Sequence, residues 1–197
     1  AGVQDIALDV DFSTPSDSVS DRNFAEALER AGGSVVLPSF QQPRTDRTTL
    51  HVNRPLQQFA EHSWPALVNV EVAPDGLVRR YPFGDKLDGS FVPSMATILA
   101  GQYAEKRPFL IDYSIRAARI PKVSFADVLR GDEATLRKLG GKKVIVGGTA
   151  LELGDRFSVP NGVIISGPVL QALAAESLLQ NRGLQWTSSV VTFAGLA

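Results

Sequence analysis

Pro74-Asp75-Gly76-Leu77-Val78-Arg79-Arg80-Tyr81-Pro82 sets a turn dipeptide in front of a short alternating run that carries two adjacent arginines. Glycine accepts positive φ without a steric penalty, and aspartate can hydrogen-bond the backbone two residues on. Asp-Gly between apolar runs is therefore a strong local hairpin signal. Residues 67–73 and 77–83 are expected to pair as an antiparallel hairpin, with a second turn at 85–89 closing it. What surrounds this hairpin decides the fold.

Upstream, Ile6-Ala7-Leu8-Asp9-Val10-Asp11-Phe12 reads as a strand. Asp21 is placed to cap a helix whose Phe24, Ala25 and Leu28 share a face, until Gly32-Gly33 stops it. Ser34-Val35-Val36-Leu37 is a buried strand, residues 41–54 are a polar loop, and Leu56, Phe59 and Ala60 form a short helix that ends before Pro65. Downstream, Met95, Ile98, Leu99 and Tyr103 recur at helical spacing, and Phe109-Leu110-Ile111-Asp112-Tyr113 returns to a strand. Ser124 with Asp127 makes a capping-box pattern for a helix with Phe125, Val128 and Leu129 as its apolar face, which Gly131-Asp132 interrupts and restarts. Val144-Ile145-Val146 is another buried strand, and Val169, Leu170, Leu173, Ala174 and Leu178 line a last helix. Repeated strand-then-helix order predicts one α/β domain, with a mostly parallel, helix-covered sheet and the central hairpin as its antiparallel insert.

At 197 residues with 44% hydrophobic and 21% charged residues, the chain can bury a sizeable core and is not disordered. Twenty basic residues nearly cancel twenty-one acidic ones, so no overall field would gather nucleic acid or an anionic membrane face. The charge is uneven, however. Residues 1–40 hold seven acids and two basic residues, a net of −5, and the remainder carries +4. The absence of cysteine excludes disulfides and thiolate chemistry, and two histidines, His51 and His62, are too few for the usual zinc sites.

The sequence holds no G-x-S-x-G, H-E-x-x-H, P-loop or G-x-G-x-x-G motif. Neither histidine falls at a strand end, and neither is given a catalytic role. Asp9-Val10-Asp11-Phe12-Ser13 matches the opening D-x-D-x-[ST] of haloacid-dehalogenase-like phosphatases. There one aspartate is the nucleophile, the other the acid, and later residues hold phosphate and Mg²⁺. Asp155 stands alone where a further acidic partner is needed. The alternative is structural: alternation puts Asp9 and Asp11 on one face, where two carboxylates call for a counter-charge that Arg79 or Arg80 is placed to supply. Such a pairing is either a structural ion pair or a ligand pocket at the strand ends.

Several of these blocks, taken in order, resemble one family. Asp75-Gly76-x-x-Arg79-Arg80, the helix start Ser124-Phe125-Ala126-Asp127-Val128-Leu129, Lys142 through Ala150 with Gly154-Asp155 and Pro160, and Gly162-Val163 together look like the CHASE-two family of extracytoplasmic sensor domains. The likeness runs from about Ile6 to about Arg182. It departs where Ser166-Gly167-Pro168 stands in place of the family's His-Ala pair, and the family's pattern starts earlier, with a strand and helix upstream of Ile6. The resemblance implies a module without catalysis or cofactor of its own, outside the cytoplasm. It would sense an unknown small-molecule or protein signal and relay it through membrane helices to a cyclase, diguanylate cyclase, phosphodiesterase or kinase, in a possible homodimer. Residues 1–185 then form the sensor domain. Residues 186–197, apolar behind Trp186, form a tail that either opens a membrane helix or ends the fold as a strand. The ligand-binding candidates are Asp11, Asp75, Arg79 and Asp155, all near strand ends or turns; a protein-binding module without a small ligand is the other open reading.

Overall fold

The computed structural model describes residues 2–43, 50–150 and 155–184. Strands β1 (Asp5–Asp9), β2 (Val35–Pro43), β3 (Leu50–Asn53), β4 (Trp64–Leu67) and β9 (Lys143–Gly147) form the main sheet. β1 lies between β2 and β9 and is parallel to both, with Ala7 opposite Val36 on one side and Asp9 opposite Gly147 on the other. β2 is long enough to take two further partners, β4 in parallel along Val36 to Ser39 and β3 antiparallel along Phe40 to Pro43. The expected mostly parallel α/β sheet is what the chain forms.

Each face of the sheet has its own apolar core. Helices α1 (Ser18–Arg30) and α2 (Gln57–Ala60) cover one face, where Leu28 and Phe59 pack on Val35 and Leu37. Phe12 and Phe24 stack at 4.9 Å, and Phe59 meets both edge-on. The other face is covered by α3 (Met95–Leu99) and α6 (Gly167–Leu179), which pack with Ala7, Val36 and Ala66. Ten of the thirteen residues of α6 are buried, so it is an interior helix without a polar face.

The Asp75-Gly76 turn forms, with Gly76 at φ 80° and the Ala73 amide donating to Leu77 O at 3.0 Å. The expected long hairpin does not. A single antiparallel bridge joins Val72 to Val78, because Leu67 is committed to the parallel sheet opposite Ser39. The second arm turns away as β5 (Arg80–Tyr81) to pair with β8 (Phe109–Leu110). A regular hairpin follows instead: β6 (Gly84–Leu87) and β7 (Ser90–Pro93) are joined through Asp88 and Gly89, both at positive φ as a tight two-residue turn requires. A last hairpin, β10 (Arg156–Val159) with β11 (Val163–Ser166), leads into α6.

Two helix starts differ from expectation. α1 is capped by Asp17, whose carboxylate accepts from the Val19 and Ser20 amides, while Asp21 accepts from Ser16. Helix α4 (Phe125–Leu129) begins after Ser124 as expected, yet Ser124 makes no side-chain cap bond and Asp127 is taken by Arg130. Its supposed apolar face is not buried: Phe125 is 56% and Leu129 72% exposed. Helix α5 (Glu133–Leu139) restarts the chain with Asp132 as its cap, accepting from the Thr135 amide at 2.8 Å.

Candidate functional site

The chain crosses from β1 to β2 and β4 on one side, while β9 joins β1 on the other. The order of the parallel strands therefore reverses about β1, so the carboxyl ends of β1 and β9 mark the topological switch point, the crevice position at which open α/β sheets bind ligands. Asp9 is the last residue of β1 and Gly147 the last of β9. A Cβ at Gly147 would run into the Pro168 ring and come within 3.1 Å of Asp9 Cβ, so glycine is what lets the first turn of α6 close over these strand ends. A Cβ at Gly167 would likewise strike the Asp155 carboxylate, and the Gly167 amide donates to Asp155 O at 3.1 Å. Asp9, Gly147, Asp155, Gly167 and Pro168 thus converge at one end of the sheet.

The two carboxylates there are electrostatically unsettled. Burial, and then the neighbouring charge of Asp155, lifts the Asp9 carboxyl from the ordinary aspartate range to about 6. Asp155 is also raised by burial, against a hydrogen bond from Gly167. Among the described residues, no cation lies within ion-pair distance of either one.

A buried polar cluster lies in the core, near enough to Asp9 to feel its charge. Tyr81 is fully buried, and its phenol is pushed up by that burial, with the Asp9 charge adding to the shift. Its O–H donates to Gln171 Oε1 on α6, and Ser94 and Ala96 at the start of α3 act against the upward shift. Gln171 in turn donates to Val68 O at 3.4 Å. Thr97 completes the cluster by donating to Phe83 O at 2.9 Å, close to the Ser94 hydroxyl.

The four residues singled out from the sequence are dispersed. Asp155 stands in the crevice opposite Asp9. Asp11 is exposed and accepts from the Ser13 amide at 2.8 Å, closing its own turn. Asp75 and Arg79 hold each other across the turn, with the guanidinium donating to both carboxylate oxygens at 2.9 and 2.6 Å. That bidentate bond and the Leu77 amide hold Asp75 down to about 2. Arg79 is therefore not the counter-charge of Asp9 and Asp11, a correction that follows from the four-residue reach between Asp75 and Arg79. Arg80 lies along a groove of about 230 Å³ with Asn69, Glu71 and Asp85. A larger groove, about 370 Å³, lies between α1 and α2 and touches none of the strand ends. Gly154, residues 151–153 and the tail from residue 185 lie outside the described residues.

Tyr81, Ser94 and Gln171 were not singled out because their sequence neighbourhoods read as core. Gly167-Pro168 carried a signal, since a proline in the first turn of a buried helix directly after a strand marks a helix start at a strand end. The phosphatase chemistry finds little support here. Asp11 turns away to Ser13, and among the described residues no group of three or more His, Cys, Asp or Glu side chains stands together.

The structure is an open, mostly parallel α/β sheet whose order reverses at β1, with the interior helix α6 packed over the carboxyl ends of β1 and β9. The family comparison gives the particular assignment: the model of the CHASE2 domain matches residues 1–197, the whole chain, and the chain belongs to that family of extracytoplasmic sensory, non-catalytic domains. No curated protein and no solved structure matches it.

Proposed function

We propose that this chain is the sensing part of a transmembrane receptor, that the β1/β9 crevice receives the signal, and that α6 carries it onward. The observation behind this reading is the double attachment of α6. Its first turn packs against Gly147 and faces Asp155, and Gln171, one turn on, is bonded to Tyr81 beside Asp9. At its far end Ser177 accepts from the Asp112 amide at 3.0 Å, and Arg182 pairs with Asp112 at 2.6 Å. Occupation of the crevice therefore acts on a helix whose other end leads to residues 180–184.

The carboxylates favour a cationic or hydrogen-bond-donating group over an anion, and of the four sequence candidates Asp155 belongs to this site. A signal works only by binding one arrangement of α6 better than another. Beyond residue 184 the chain continues through its apolar tail into a membrane helix and a cytoplasmic cyclase, diguanylate cyclase, phosphodiesterase or kinase unit. The test is a topology fusion in the complete receptor, with a reporter enzyme that is active only outside the cytoplasm inserted in the Asp88-Gly89 turn. Reporter activity supports the reading, and a reporter active only inside the cell refutes it.

A further inference from the structure

Helix α4 buries none of its residues, and its two largest apolar side chains point outward. Phe125 and Leu129 are four residues apart and so share one face of the helix. The segment that carries them is rich in cations. Between residues 116 and 142 the chain carries seven Lys and Arg residues against three acids, and all seven cations are exposed.

The three acids are already used. Asp127 is paired with Arg130, Glu133 with Arg137 at 3.1 Å, and Asp132 accepts from the Thr135 amide. What is left toward solvent is an aromatic and an aliphatic side chain in a segment whose Arg116, Arg119, Lys122 and Lys138 are also exposed. This segment begins where the last described residues lie: Arg182 donates to Ser114 Oγ at 2.6 Å, and Leu184 bridges to Leu110.

We propose that this surface docks on an anionic lipid bilayer, with Phe125 and Leu129 entering the headgroup region and the cations meeting lipid phosphates. The chemistry is that of a short interfacial amphipathic element, in which shallow apolar insertion and attraction to acidic headgroups add together. A short exposed helix with two apolar side chains, in a segment of exposed long cationic side chains, suits a flat, fluid surface, where a protein partner would need a complementary groove. Its placement beside a membrane rests on the receptor reading above, since residues 182–184 then lead toward the bilayer next to this segment. The docked surface would fix the domain's height and tilt, so that a shift of α6 moves the chain against a held body.

The test is co-sedimentation of the 197-residue chain with vesicles. Vesicles of phosphatidylcholine alone are compared with vesicles containing phosphatidylglycerol, at low salt and at about 0.5 M salt, where screening is nearly complete. Binding is expected only with the anionic lipid at low salt. Phe125→Ser with Leu129→Ser should weaken it about tenfold while leaving the melting temperature unchanged, because both side chains are already exposed. Arg119→Gln with Lys122→Gln should weaken it about tenfold as well, with a shallower salt dependence. Absence of binding to the anionic vesicles, or binding indifferent to both double variants, overturns the proposal. Loss of self-association on sedimentation in the Phe125/Leu129 variant, without vesicle binding, also overturns it and assigns the patch to a second copy. Failure of the topology fusion removes the setting, whereas failure of vesicle binding removes the surface.

Discussion

Asp9 at the end of β1 and Asp155 just before β10 face each other as two carboxylates, with no cation within ion-pair distance among the described residues. The burial of Asp9 and the repulsion between the two carboxylates both disfavour the state in which both are ionised.

Stability should therefore fall as pH rises through this region. The folded state holds Asp9 at about 6, above its value of 3.8 in an open chain, so folding favours the proton. The contribution is fully present below about pH 4 and is lost by the time pH passes 6, a difference on the order of 2–3 kcal/mol. Asp9→Asn should raise the melting temperature at pH 7.5 and leave it nearly unchanged at pH 4; thermal melts across that range decide it, and equal effects at both pH values would contradict the assignment.

The two glycines of the crevice should respond unequally to alanine. At Gly147 the added methyl meets the Pro168 ring and Asp9 Cβ, neither of which has a free rotamer to escape into. At Gly167 it meets the end of the exposed Asp155 side chain, which can swing away. Gly147→Ala should cost about 1–3 kcal/mol and Gly167→Ala clearly less. Urea denaturation of the two variants gives the order, and the reverse order would mean that α6 does not close over β9 as described.

Tyr81→Phe removes the O–H that Gln171 accepts, leaving a buried amide oxygen short of a partner. The expected loss is about 1–3 kcal/mol. Combining it with Gln171→Leu should cost less than the sum of the two single changes, because the orphaned group is then gone. Additive losses in the double-mutant cycle would show that the two side chains are not coupled.

The parts of this fold legible in the sequence were those set by local pattern. The parallel strands, the helix lining of Leu170, Leu173 and Leu178, and the restart at Asp132 follow from apolar spacing and capping chemistry. The central hairpin was overdrawn because Asp75-Gly76 specifies a turn but not how far its arms stay together. That is settled by Leu67 pairing with Ser39 and Tyr81 with Phe109, contacts between distant residues. The acidic crevice was half legible: Asp9 stood at a strand end, yet its neighbour Asp155 is brought in by the β10/β11 hairpin. The nearer charges, Arg79 and Asp75, spend themselves on each other. Phe125 and Leu129 matched a buried helix face in spacing, and spacing does not say whether anything covers that face.

Arg182→Gln should loosen the segment that follows α6 without unfolding the core, since it removes the ion pair with Asp112 and the bond to Ser114. Amide exchange should quicken at Leu110 and Leu184, which exchange hydrogen bonds at 2.8 and 3.3 Å, while α6 keeps its protection. Unchanged exchange at both amides would show that Arg182 does not hold this segment.

The relay from crevice to chain end is tested most directly by amide exchange at residues 110 and 180–184, comparing the native chain with Asp9→Asn at pH 7.5. Removing the buried charge mimics occupation of the crevice without requiring its ligand, and a coupled α6 predicts a change in exchange at that distant end along with the crevice residues. A change confined to residues near Asp9, with 110 and 180–184 exchanging as before, would contradict the claim that α6 carries the signal.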